Sequence, residues 1–224
     1  MKGILYMNVN LLEDPELFDK TLALISEDRK NQINKFKSEK PARLSLGAGF
    51  LLRIAMQKCG YLEKINKVIY GSYGKPFLKD SDFHFSISHS GDYVAIAYGD
   101  RGLGLDLQKV KDIIPKHTKK ILSNEENVYL ESLSESKKIE DFYRIWAMKE
   151  SLVKLDGRGL RINLHNIIMV NGGELLQKIL FEDKKLSIKA FDLLMPDYTM
   201  YICSEDVFIP DEVTEITLNF LTNY

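Results

Sequence analysis

The stretch FHFSISHSGDYVAIAYGDRGLGLDLQ, residues 83–108, sets the architecture. Phe83, Phe85 and Ile87 alternate with His84, Ser86 and Ser88, the two-residue period of a strand with one buried face. Gly91-Asp92 makes a turn and Tyr93–Tyr98 a second strand, so the pair predicts a hairpin. Gly99-Asp100-Arg101-Gly102 turns the chain again. In the following Leu103–Gln108, the leucines at 103, 105 and 107 face one way, and Gly104, Asp106 and Gln108 face the other. An aspartate on a leucine-rich strand is costly to bury unless it is ionised and bound to a cation.

Upstream, Gly3–Asn8 reads as a strand. Asp14-Pro15-Glu16 opens a helix, with Asp14 as its cap and Pro15 in its first turn. Ser26-Glu27-Asp28-Arg29 opens another, and 44–57 carries helical spacing at Leu44, Leu51, Leu52 and Ala55 before the turn Gly74-Lys75-Pro76. Downstream, the polar 109–140 contains helical pieces around Pro115–Leu122 and Glu125–Leu133. A longer helix spans 141–154, with Phe142, Ile145, Trp146, Leu152 and Val153 as its buried stripe. Tyr143, Ala147, Glu150 and Lys154 share a different face, and Gly157 and Gly159 end the helix. The remainder is mostly β, at Ile167–Val170, Leu186–Phe191, Tyr198–Ser204 and Thr214–Phe220. Helix, glycine turn and strands therefore occur twice in the same order. This predicts two similar α+β halves divided near Gly102, residues 1–102 and 103–224.

Composition narrows the function. The 224 residues hold 31 Lys plus Arg against 32 Asp plus Glu, a net charge of −1. That balance argues against nucleic acid as the main partner. With 45% hydrophobic and 28% charged residues, the chain has the composition of a soluble globular protein. No apolar run approaches the roughly 20 residues of a membrane helix, and Met1–Asn10 offers too short an apolar stretch for a signal peptide. The two cysteines, Cys59 and Cys203, make neither a disulfide framework nor a metal cluster, and suit a reducing cytoplasm.

Three groups can carry chemistry. Asp106 from a strand and Glu150 from a helix make a plausible Mg²⁺ site, since Mg²⁺ takes hard oxygen ligands; the plainer alternative is a Glu150–Lys154 pair on a helix surface. Lys75, Ser88, His89 and Ser90 suit an anionic oxygen such as a phosphate. Their plainer alternative is a hairpin edge with polar tips, and a hydrolase is disfavoured because no G-x-S-x-G elbow is present. Arg29, Lys30, Lys35, Lys37, Lys40 and Arg43, opposed only by Glu39, are either a solvated helix face or a source of cations for phosphates.

Taken in order, GKP (74–76), FSISHS (85–90), GLDLQ (104–108), WAMKESLVK (146–154) and GRGL (157–160) resemble the motifs of the Sfp-type 4′-phosphopantetheinyl transferases. The resemblance implies a pseudo-dimer of two α+β subdomains with the active site between them. It also implies an enzyme that moves the phosphopantetheine arm of coenzyme A onto a serine of an acyl or peptidyl carrier protein, releasing adenosine 3′,5′-bisphosphate. By motif, Asp106 and Glu150 would hold Mg²⁺, with Gln108 or a water in the third place, and Glu150 would take the serine proton, directly or through a metal-bound water. Lys154 would stabilise the pyrophosphate, Lys75, Ser88 and His89 would hold coenzyme A through its phosphates, and Arg43 would contact its nucleotide end, with Arg29 a weaker candidate. Carrying both halves in one chain, the protein would act as a monomer. Fatty acid, polyketide, nonribosomal peptide and siderophore carriers all remain open.

Two positions depart from the family pattern. Gln108 stands where many members have a second acid, which predicts weaker metal binding and motivates the alternative of a degenerate relative that binds coenzyme A or a carrier without catalysis. Leu44 stands where some relatives have a hydroxyl residue; Ser45 is its nearest substitute. Segment 111–122, with Lys111, Lys116, Lys119, Lys120, Ile121 and Leu122, is either a docking surface for the carrier or a solvated amphipathic helix.

Overall fold

The computed structural model of the chain describes residues 1–115, 120–191 and 195–224. They divide into two compact units. The first comprises Met1–Gly71, Pro76–Arg101 and Ile209–Tyr224, and the second Ser72–Lys75 and Gly102–Phe208.

In the first unit, β1 (Gly3–Asn8) pairs antiparallel with β5 (Tyr93–Gly99), and β5 pairs with β4 (His84–Ser90). The hairpin predicted across Gly91-Asp92 is therefore present. Helices α1 (Pro15–Leu24), α2 (Glu27–Ile33) and α3 (Glu39–Lys58) precede it. Asp14 caps α1 as expected, its carboxylate accepting the Glu16 and Leu17 amides, which have no partners inside the helix. The apolar face of α3 covers the sheet. Phe50, Leu51 and Ile54 join Leu5, Met7, Phe85 and Ile96 in one core. A two-stranded ribbon, β2 (Val68–Tyr70) with β3 (Pro76–Leu78), completes the local strands.

The second unit opens with β6 (Leu103–Lys109). Helices α4 (Asn124–Glu131) and α5 (Glu135–Asp156) follow, then the small hairpin of β7 (Val170–Asn171) and β8 (Glu174–Leu175). Its main sheet has the order β6, β11 (Tyr198–Ser204), β10 (Lys184–Ala190), β9 (Lys178–Phe181), antiparallel throughout. Helix α5 packs on β6 and β11, burying Phe142, Ile145, Met148 and Leu152 with Ile188 and Cys203. Gly157 ends α5 at φ 87°, a left-handed conformation that glycine adopts without strain.

Both units repeat one scheme: a strand, a long helix, then a hairpin whose last strand pairs with the first. This is the doubled α+β motif that the sequence echo predicts.

The C-terminus departs from the expectation. Residues 209–224 belong to the first unit, because β12 (Glu212–Glu215) pairs in parallel with the outer side of β1. Tyr98 donates its hydroxyl to Glu212 at 2.5 Å, and Lys58 reaches the same carboxylate at 3.0 Å. The expected strand Thr214–Phe220 ends at Glu215, and Leu218–Asn223 forms a short helix, α6, with Thr217 as its N-cap. Of the expected strand Ile167–Val170 only Val170 is paired, in β7 together with Asn171.

Candidate active site

Asp106 lies in β6 opposite Tyr201 of β11, and only 2% of it is exposed. Its charge is met on both oxygens. Lys154 Nζ approaches Oδ1 at 2.7 Å, and Gln108 Nε2 donates to Oδ2 at 2.7 Å. A carboxylate only accepts hydrogen bonds, so Gln108 turns its NH₂ toward Asp106. The alternation in β6 places Gly104, Asp106 and Gln108 on one face, and α5 packs on it.

Gly104 is what allows α5 so close. A Cβ at that position would lie 2.0 Å from the Ser151 carbonyl oxygen and 2.3 Å from the Leu155 nitrogen. No other residue type lets the two backbones touch there. Glu150 and Lys154, one helical turn apart, are thereby delivered to the Asp106 face.

Glu150 holds its proton above the usual carboxylate range. Burial is the main cause and the Asp106 carboxylate adds to it, while Lys154 and a hydrogen bond with Trp146 oppose the shift. Two carboxyl groups and a lysine thus share a half-enclosed place. Among the described residues, no group of three or more His, Cys, Asp or Glu could hold a metal ion. A divalent cation here would rely on Asp106, Glu150 and the Gln108 amide oxygen. All three are hard oxygen donors, and the mutual repulsion of the two carboxylates favours a cation, so the set fits Mg²⁺ in chemical type.

Lys75 occupies a different position. Its amine donates to the carbonyls of Leu103 at 3.3 Å and Leu155 at 3.1 Å, capping the last turn of α5, and so ties Ser72–Lys75 to the second unit. Burial pushes its pKa down to about 8, with Asp156 opposing. Two of its three N–H donors are therefore directed to backbone rather than outward.

Arg43, Ser88 and His89 belong to the first unit. Arg43, near the start of α3, pairs with Glu13 at 3.0 Å and Glu39 at 3.3 Å, while its buried Nε has no hydrogen-bond partner among the described residues. Arg29 reaches Ser45 Oγ at 3.5 Å. Ser88 is buried and His89 exposed on β4, an edge strand of its sheet. In the proposed docking segment, Lys116 and Lys119 lie outside the described residues. Lys111 and Lys120 are exposed, but Leu122 is a core residue of the second unit, at 4% exposure.

Sequence reasoning brings Asp106, Gln108, Glu150 and Lys154 into one place, as the structure does. It misses Gly104, whose signal was a glycine inside a strand, a mark of close backbone approach. It also misses Trp146 as a neighbour of Glu150, readable as an i,i+4 pair on α5.

Comparison with known proteins agrees with this geometry. A family model described as the 4′-phosphopantetheinyl transferase superfamily matches residues 102–203, and one described as 4′-phosphopantetheinyl transferase, N-terminal, matches 14–100. The chain is 26% identical over 217 residues to the 4′-phosphopantetheinyl transferase Sfp of Bacillus subtilis strain 168, covering 95% of this chain and 96% of that protein. It is 27% identical over 207 residues to the transferase ffp of Bacillus subtilis, covering 91% of this chain and 92% of the relative. Against the transferase gsp of Aneurinibacillus migulanus the identity is 25%, over 91% of this chain and 86% of the other. Strand, helix and carboxylate pair, together with these matches over both halves, make the chain an enzyme that belongs to the 4′-phosphopantetheinyl transferase superfamily, as a two-subdomain member of the Sfp type.

Proposed function

We propose that the chain transfers the 4′-phosphopantetheine arm of coenzyme A to a serine hydroxyl of an acyl or peptidyl carrier protein, with Mg²⁺, releasing adenosine 3′,5′-bisphosphate. The observation that carries this reading is the buried Asp106 carboxylate, held by Lys154 and facing Glu150 across the β6–α5 contact.

In this reading the serine oxygen attacks the phosphorus next to the pantetheine arm. A new phosphodiester forms, the pyrophosphate P–O bond breaks, and the departing nucleotide oxygen keeps the electron pair. Glu150 accepts the serine proton, directly or through a water. Lys154 Nζ, held in place by Asp106, stabilises charge on the departing phosphate. Asp106, Glu150 and Gln108 would hold Mg²⁺, which when bound supplies positive charge to the pyrophosphate oxygens. Arg43, Ser88 and His89 hold coenzyme A through its phosphates and nucleotide end, and the buried Arg43 Nε, without a partner among the described residues, supports an anion at that side chain. Among the described residues two carbonyls take N–H bonds from Lys75, and in this reading its third N–H serves a phosphate.

The protein acts as a monomer in this reading, because one chain supplies both units. It works in the cytoplasm, where its cysteines stay as the free thiols seen in the structure. Among the described residues, no helix is long and apolar enough to cross a membrane.

Incubation with coenzyme A, Mg²⁺ and an apo carrier protein, followed by mass spectrometry of the carrier, tests the reading. A gain of one phosphopantetheine, lost in Glu150→Ala, is expected. Coenzyme A binding without any transfer to several carriers would instead establish the non-catalytic relative, toward which Gln108 in place of an acid points.

A further inference from the structure

Next to Glu150 stands a fully buried ion pair. Lys149 and Glu126 are both 0% exposed, and their charged atoms meet at 2.5 Å. Lys149 Nζ also donates to the carbonyl of Ile121 at 2.7 Å and of Leu164 at 2.8 Å, which uses all three of its N–H bonds. Glu126 is equally committed. Its Oε2 accepts the Ser123 amide at 2.8 Å in a capping box at the start of α4, and its Oε1 accepts the Met169 amide at 2.8 Å. Four chain segments therefore converge on one point of α5: residues 121–123, α4, Leu164 and Met169.

For stability alone such a pair is a poor choice, since well-packed apolar side chains of similar volume are often as stable or more so. What apolar packing does not supply is direction. A lysine whose three donors are aimed at three fixed acceptors leaves its helix no freedom to rotate. Glu150 is the next residue along, about 100° around the helix. With side chains about 5–6 Å from the axis, a 20° rotation of α5 would carry the Glu150 carboxyl by about 2 Å relative to Asp106.

We propose that Lys149 and Glu126 are positioning residues, whose buried pair sets the rotation of α5 and so the aim of Glu150. This rests on the reading of Glu150 as the group that accepts the serine proton. A displacement of about 1 Å at a reacting group can cost about 100-fold in rate.

The test uses the full chain, as Glu126→Asp, which keeps both charges but shortens the arm, and as the double variant Lys149→Met with Glu126→Gln, which removes both together. Thermal midpoint, the emission of Trp146 (the sole tryptophan) and transfer kinetics are recorded for each. Folded variants are expected to lose about 10- to 100-fold in kcat, with KM for coenzyme A within twofold and a shifted Trp146 emission, since that ring is a neighbour of Glu150 one helical turn away. Folded variants whose kcat stays within twofold of the wild type would overturn the proposal and leave the pair a purely structural one. If the double variant does not fold, Glu126→Asp decides the matter. If the wild type itself modifies no carrier, the transferase reading fails separately. Trp146 emission in the folded variants then decides positioning, a shift supporting it and none overturning it.

Discussion

Replacing Gly104 with alanine tests the close approach that assembles the site. The added Cβ would meet the Ser151 carbonyl oxygen at 2.0 Å and the Leu155 nitrogen at 2.3 Å, where ordinary contact begins near 3.4 Å. One backbone must therefore retreat by 3.4 − 2.0, or about 1.4 Å. Neither obstacle is a flexible side chain that could swing aside. Overpacking of a well-filled interior costs about 1–3 kcal/mol, and a clash with helix backbone belongs at the upper end. For a chain of this size that lowers the thermal midpoint by about 6–12 °C. Since α5 carries Glu150 and Lys154, the same retreat separates both from Asp106, and activity in the folded fraction should fall about 100-fold. Gly102→Ala is the control, because its Cβ would touch only Leu155 Cδ1, at an ordinary 3.5 Å. Circular dichroism melts and carrier modification rates on both variants provide the measurement. A Gly104→Ala midpoint within 2 °C of the Gly102→Ala control would show that strand and helix are not held in contact by that glycine, and the account of the site's assembly would fail.

Gln108→Glu should strengthen Mg²⁺ binding, because it exchanges an amide that donates to Asp106 for a third carboxylate whose repulsion a cation relieves. Calorimetric metal titrations check this, and equal or weaker affinity in the variant would sink it. Lys75 sets a pH dependence with a definite sign. Its folded pKa near 8 lies below the 10.5 of the free side chain, so the unfolded chain binds more protons in between. The wild type should therefore gain stability relative to Lys75→Met as pH rises from about 8 to 10, by at most about 1.4 kcal/mol per unit. Urea midpoints of both proteins at pH 7.5, 9 and 10 measure the difference; a constant or shrinking gap would refute it.

Much of the first unit and the start of the second was legible because their signals are local. Strands β1, β4, β5 and β6 announce themselves by alternation or short apolar runs between turn residues, and α5 by a stripe of five apolar positions. The end of the chain was not legible. Glu212–Glu215 has an unremarkable strand pattern, and its partner β1 lies some two hundred residues earlier, a pairing that no local period encodes. Thr217 as a helix start was hidden by the β-branched run before it. At the site, the alternation in β6 placed Asp106 and Gln108 on one face, and helical spacing placed Glu150 one turn from Lys154. In the sequence Lys75 is a cation beside a turn, and only the fold directs its amine to carbonyls at the start of β6 and the end of α5.

By itself the sequence determined the elements, the doubled α+β motif and the types of chemical group available, since each of these rests on residue period and side-chain chemistry within a few turns of chain. The tertiary structure alone decided which of those groups touch. Lys154 pairs with Asp106, forty-eight residues away, because a glycine in β6 lets α5 lie directly on the strand. Lys149, indistinguishable in the sequence from a surface lysine, is buried because three acceptors from three separate segments meet at its amine. Contacts of this kind depend on backbones brought together through space, and spacing along the chain carries no record of them.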